Sequence, residues 1–213
     1  MDWTRLDLAQ LLALAAALGL ASGIRLYALL FVMGLAGHLG WVELPHGLTV
    51  LMHPLVLGAS GLLMVVEFLA DKIPAVDTLW DSVHTFIRLP AGALLASGLA
   101  SHGTAAAIAL ALVGGTFAAT GHLAKSGARA TLNTSPEPIS NWAASFGEDT
   151  VSLGLFWLIA THPLLAGLLA LLLAALCVWL VSRLWRSLRA LVRQARPLSA
   201  PAAHRPPRNS RTA

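Results

Sequence analysis

Four stretches of the chain are almost free of charge: residues 8–39 with only Arg25, and residues 48–66, 89–124 and 150–182 with none. A bilayer core needs about 20 helical residues at 1.5 Å each, so 48–66 has the length of one plain span. The other three would be roughly 48 Å or longer as straight helices, and they must break. Gly and Pro mark where, at Ser22-Gly23, Ser101-His102-Gly103 and Thr161-His162-Pro163. Such breaks predict that Gly23 and Gly103 tolerate replacement less well than Gly34 or Gly92. With 57% hydrophobic and 11% charged residues among 213, against about 25% charged in a soluble domain, the chain cannot build a solvated surface. The pattern predicts an all-α integral membrane protein with about 5–7 membrane-embedded helices, several broken or re-entrant.

Short strings recur in order: GLAS at 19–22 and 98–101, GHL at 37–39 and 121–123, HPL at 53–55 and 162–164. They predict one transmembrane domain over residues 1–182 built from two duplicated halves, about 8–88 and 89–182. Duplicated halves with broken helices are a common build of small transporters.

Residues 183–213 hold eight of the fourteen Lys and Arg and none of the ten acids, so residues 1–182 carry six bases against ten acids, a formal −4. A basic tail beside a bilayer reads as a cytoplasmic anchor on anionic lipid rather than a nucleic-acid arm. It places the protein in the cell inner membrane with a cytoplasmic C-terminus, and the tail is expected to be disordered after about residue 197. Cys177 is the only cysteine, so an intramolecular disulfide is excluded. The N-terminus lacks a cleavage pattern and is expected to stay on the mature protein. Trp3, Trp41, Trp80, Trp142 and Trp185 flank the apolar runs as an aromatic belt would.

The remaining charge sits in two islands. In the first, Glu67 and Asp71 are four apart, and after Pro74 the residues Asp77, Asp81, His84 and Arg88 fall on one helical face. That face is either the wet side of an interfacial helix or the wall of an ion-handling cavity. In the second, Lys125, Arg129 and Asn133 share a face, a Ser-Pro-Glu-Pro run must be extended, and Ser140-Asn141 can cap a helix leading to Ser145, Glu148 and Asp149. Arg25, in the middle of an apolar run, must find water, a carboxylate or a lipid phosphate. The candidate ion- or substrate-binding set is therefore Arg25, Glu67, Asp71, Asp77, Asp81, His84, Lys125, Arg129, Asn133, Glu148 and Asp149, with Glu67, Asp71 and His84 as candidate metal ligands.

The strings ASGIRLYALLFVMGLAGHLG, VEFLADKIPAVDTLWDSVHTFIRLPAGALLA and KSGARATLNTSPEPISNWAASFGED resemble the bacterial integral membrane family catalogued as domain of unknown function 4126, over most of residues 10–185. The resemblance implies an all-helical inner-membrane protein and carries no catalytic residues with it. Glu67-x-x-x-Asp71-Lys72 and Gly147-Glu148-Asp149-Thr150 are also similar to the paired acidic signatures of a family of cation/proton exchangers. The spacing departs from that family in both copies, so only the idea of paired membrane acids carries over.

The expected function is a small transporter or channel-like protein for a cation or proton-coupled solute. The alternatives are a lipid-handling or scaffold protein, in which Arg25, Lys125 and Arg129 hold headgroups, and a lipid-modifying enzyme using Ser60 of Gly58-Ala59-Ser60-Gly61. No cofactor and no nucleic acid are expected. The expected partners are membrane lipids and a small ion or solute, with self-association left open.

Overall fold

The computed structural model describes residues 6–100, 103–132 and 138–195. These form helix α1 (Leu8–His38), a 3₁₀ helix (His46–Met52), α2 (Pro54–Ala70), α3 (Pro74–Ser97), α4 (Thr104–Leu132), α5 (Pro138–Thr161) and α6 (Pro163–Ala195), with no strand among the described residues. Asp7 and Gln10 open α1 with a reciprocal capping box. Proline stands at the first position of α2, α3, α5 and α6, where a missing N–H costs nothing. Helix α1 lies at the centre and packs on all the others.

The four apolar stretches break in different ways. In α1 the irregular residue is Arg25 (φ −140°, ψ 76°) rather than Ser22-Gly23. Ser22 donates back to the Gly19 carbonyl at 2.7 Å, and Gly23 lies flush against the backbone of α4 at Ala118 and His122, as in close packing of ordinary helices. The stretch 48–66 is not one straight span, because the chain bends by 70° between the 3₁₀ helix and α2. The stretch 89–124 becomes an antiparallel hairpin in which Ala96 meets Gly114, Gly92 meets Ala118 and Arg88 meets His122, four residues at a time along each helix. Its turn contains Gly103 at φ 82°, a conformation glycine adopts without strain; Ser101 and His102 lie outside the described residues. The stretch 150–182 divides at His162, between α5 and α6.

The expected contrast between the glycines is not seen: Gly23, Gly34 and Gly92 are all closely packed, and Gly103 is constrained by its positive φ rather than by neighbours. A Cβ at Gly34 or Gly92 would collide with Leu51 or with Ala118 and Ser22, whereas one at Gly103 would meet nothing within 4 Å. Packing, not breakage, makes most of these glycines necessary.

Helices α1, α4 and the first part of α6 are long and apolar enough to cross a membrane, and the bent pair adds a fourth candidate. At 24 residues each, α3 and α5 reach about 36 Å. They are long enough, but carry charge. On α3 that charge points inward: Asp77, Asp81, His84 and Arg88 are buried while Leu79 is 67% and Phe86 83% exposed. The arrangement inverts a water-surface amphipathic helix, which rules out the wet-face reading. Together with exposed Leu62, Leu94, Leu112, Trp157 and Leu172 it gives the molecule an apolar perimeter. That perimeter belongs to a membrane protein.

The repeated strings occupy unlike positions. GLAS at 19–22 is inside α1, while its second occurrence begins after α3; GHL ends α1 but lies within α4. Only HPL starts a helix both times. Helix α6 also runs past the expected boundary at 182, carrying exposed Arg183, Arg186 and Arg189, the last 5.0 Å over the Trp185 ring. The segment expected to be disordered, after residue 197, lies outside the described residues. Trp41, Trp142 and Trp185 are exposed as a belt requires. Trp80 is instead half-buried and stacked on His84, and Trp3 lies outside the described residues.

Candidate functional site

All the sequence-predicted site residues except Asn133, which lies outside the described residues, gather in one buried cluster between α1, α2, α3, α4 and α5. Each helix contributes through its period. Glu67 and Asp71 close α2, and Asp77, Asp81, His84 and Arg88 are the inner face of α3. Lys125 and Arg129 lie one turn apart on α4. On α5, Asn141, Ser145, Glu148 and Ser152 repeat the spacing seen on α3. The expected capping role of Ser140-Asn141 gives way to a start at Pro138, and Asn141 instead offers its carbonyl to Arg129 at 3.3 Å.

Four bases organise the acids. Arg25 meets Asp71 at 2.5 Å and Asp149 at 2.9 Å, and donates to the Ser145 hydroxyl at 2.7 Å. Arg88 bridges Glu67 at 2.5 Å and Asp81 at 3.2 Å. Arg129 holds Glu148 through two parallel bonds of 2.9 and 3.0 Å, a strong fork geometry. Lys125 sits among Asp71 (3.2 Å), Glu148 (3.5 Å), Asp81 (3.8 Å) and Glu67 (3.9 Å). Asp77 is fully buried near enough to Arg129 to act on it electrostatically.

A directed chain of hydrogen bonds runs beside these pairs. Arg88 can only donate, so Nδ1 of His122, at 3.2 Å, accepts; Nε2 then carries the proton and donates to Thr85 Oγ1 at 2.7 Å. Thr85 in turn donates to the Asp81 carbonyl at 3.1 Å. His84 donates from Nδ1 to the Trp80 carbonyl and pairs through Nε2 with the Tyr27 hydroxyl at 2.9 Å. That turns it away from Glu67 and Asp71. Among the described residues no three or more His, Cys, Asp or Glu side chains are arranged to hold a metal ion, so the expected trio of Glu67, Asp71 and His84 is not assembled.

Two cavities flank the cluster. One, of about 370 Å³, lies between α1, α2 and α5, with Arg25, Glu67, Asp149 and Ser152 among apolar walls. The other, of about 250 Å³, lies between α3 and α4 and is lined by Asp81, Thr85, Ser126 and Arg129. Arg25, Lys125 and Arg129 are buried among carboxylates rather than turned to the perimeter, contrary to the headgroup-holding alternative. Ser60 donates to the Leu57 carbonyl within α2 at 3.3 Å, an intrahelical bond rather than a pairing with histidine.

The sequence model of the family described as "Domain of unknown function (DUF4126)" matches residues 12–183. The chain belongs to this family. No curated protein and no solved structure shows significant similarity to it. In this DUF4126 member the matched region contains every residue of the cluster. It also contains Tyr27, Thr85, His122, Asn141, Ser145 and Ser152, which charge alone did not single out. A signal for His122 was present: with Lys125 and Arg129 it falls at i, i+3 and i+7, one face of α4.

Proposed function

We propose that this membrane protein is a small transporter moving a cation or a proton-coupled solute, with the buried carboxylate cluster as its ion site. A surplus of negative charge carries the reading. Among the described residues six carboxylates (Glu67, Asp71, Asp77, Asp81, Glu148 and, at 31% exposure, Asp149) face four buried bases, and Lys72 at the rim, half-exposed against the Phe68 ring, supplies a fifth. A buried acid without full compensation is stabilised by taking up a proton or a cation. The two cavities support a route, since Lys125 and Arg88 each lie between Asp81, on one cavity, and Glu67, on the other.

Flux of protons and alkali cations in liposomes containing the purified protein tests this reading. Glu67→Gln and Asp71→Asn, which keep shape and remove charge, are expected to lose flux or its pH dependence. Unchanged flux and pH response in both well-folded variants would reject the ion site and leave an ion-pair latch between helices.

The basic C-terminal end of α6 and the tail beyond it support an inner-membrane protein with a cytoplasmic C-terminus. A cysteine introduced near residue 205 is expected to resist an impermeant thiol reagent applied outside intact cells; labelling would reverse the orientation.

A further inference from the structure

Several buried polar atoms of the cluster lack a hydrogen-bond partner among the described residues, and on the larger cavity two of them, on Glu67 and Ser152, come with apolar and aromatic walls. Oε1 of Glu67 is bound by Arg88, but Oε2 accepts no hydrogen bond among the described residues, although the residue is only 1% exposed. The hydroxyl of Ser152, on the same cavity, likewise has no hydrogen-bond partner among them. A buried carboxylate oxygen with no donor costs free energy until something donates to it. Arg25 does not supply that donor: its terminal nitrogens face Asp71 and Ser145, and its Nε, which makes no hydrogen bond among the described residues, lies 2.9 Å from the Asp149 carboxylate. An anionic guest would meet a guanidinium whose charge is already paired with Asp71 and Asp149, and the Glu67 and Asp149 carboxylates on the same cavity. Glu67 Oε2 and the Ser152 hydroxyl together suit a donor with positive charge.

The rest of the cavity asks for an apolar body. Val32, Met64, Phe68 and Phe156 line it, and Val65 and Leu153, about half exposed, form a rim on the apolar perimeter. The volume of about 370 Å³ lies in the range of small-molecule pockets, and the aromatic walls suit a cation as well as a hydrocarbon. We infer that this cavity binds a hydrophobic monovalent ammonium, an amine with an aryl or alkyl body, whose N–H groups reach Glu67 Oε2 and Ser152 Oγ while its body lies against Phe68 and Phe156. As the identity of the transported solute this rests on the transport reading; as a binding site it stands apart from flux.

The experiment measures binding of 2-phenylethylamine to the full-length protein in phosphatidylcholine nanodiscs, beside the size-matched 2-phenylethanol and 3-phenylpropionate. The amine is expected to bind at least about tenfold tighter than either, the difference a charge-assisted hydrogen bond supplies. Glu67→Gln should remove that preference, and Ser152→Ala should weaken it. Ala28→Phe, which fills the cavity without altering charge, should abolish binding of all three probes and keeps the test decisive if Glu67→Gln fails to fold. Equal affinity for the three probes, or amine binding unchanged by Ala28→Phe, would overturn the inference. Nanodiscs containing phosphatidylethanolamine separate the sources: loss of amine binding there identifies an amine-headed lipid as the guest, and undiminished binding identifies a free amine. Binding without any flux would reject the transport reading alone, while flux without amine preference would reject this site alone.

Discussion

The α3–α4 hairpin is held by two different kinds of interface along its length. Toward the turn, Gly92 and Ala96 meet Gly114 and Ala118, and Gly19 and Gly23 of α1 close against the same strip, so backbones touch. Beyond Arg88 and His122 the same two helices meet through Asp81, Lys125 and Arg129. In lipid neither end is held by hydrophobic association, since the surroundings are as apolar as a leucine side chain. The small-residue end relies on close van der Waals contact and has one arrangement. The charged end relies on ion pairs whose strength changes with protonation or ion occupancy, so it is the end that can respond to a solute.

The sharpest way to break this contrast is Arg88→Met. It strips both Glu67 and Asp81 of a buried partner and is expected to cost ~3–5 kcal/mol, read as a lower midpoint of thermal unfolding in detergent. Adding Glu67→Leu should recover part of that loss, because an apolar pair replaces an unpaired charge. Gly114→Leu attacks the other end. Its side chain must displace Ala96 and the Gly92 carbonyl, with an expected loss of about 1–3 kcal/mol that no second change in the charged cluster restores. Recovery of Gly114→Leu by Glu67→Gln would show that the two ends are not independent. Gly154→Ala on α5 is the smallest: nothing lies within 4 Å of the added Cβ, so helix propensity alone should raise stability by at most about 1 kcal/mol. A fall in the unfolding midpoint would reveal packing there.

Much of the site was legible because its residues announce themselves by type. A charge in an apolar run is conspicuous, and Arg25, Glu67, Asp71, Lys125 and Arg129 needed no partner to be noticed. Tyr27 and Thr85 were not legible, since such residues are ordinary in helices and acquire a role only through what faces them. The glycines misled for a related reason. In sequence a glycine signals either a break or a close approach, and the neighbour that decides between them at Gly92 lies on another helix.

The amino-acid sequence by itself determined that the chain is helical and membrane-embedded, and that Asp77, Asp81, His84 and Arg88 share a face, because helical period and length are local properties of the backbone. It could not determine whether that face met water or protein. The tertiary structure decided that it turns inward, that Arg25 pairs with Asp71 and Asp149, and that residues 48–66 bend rather than run as one straight helix. The first two outcomes depend on charges supplied by five separate helices. A carboxylate finds its stable orientation only when the opposite charge arrives from elsewhere in the chain.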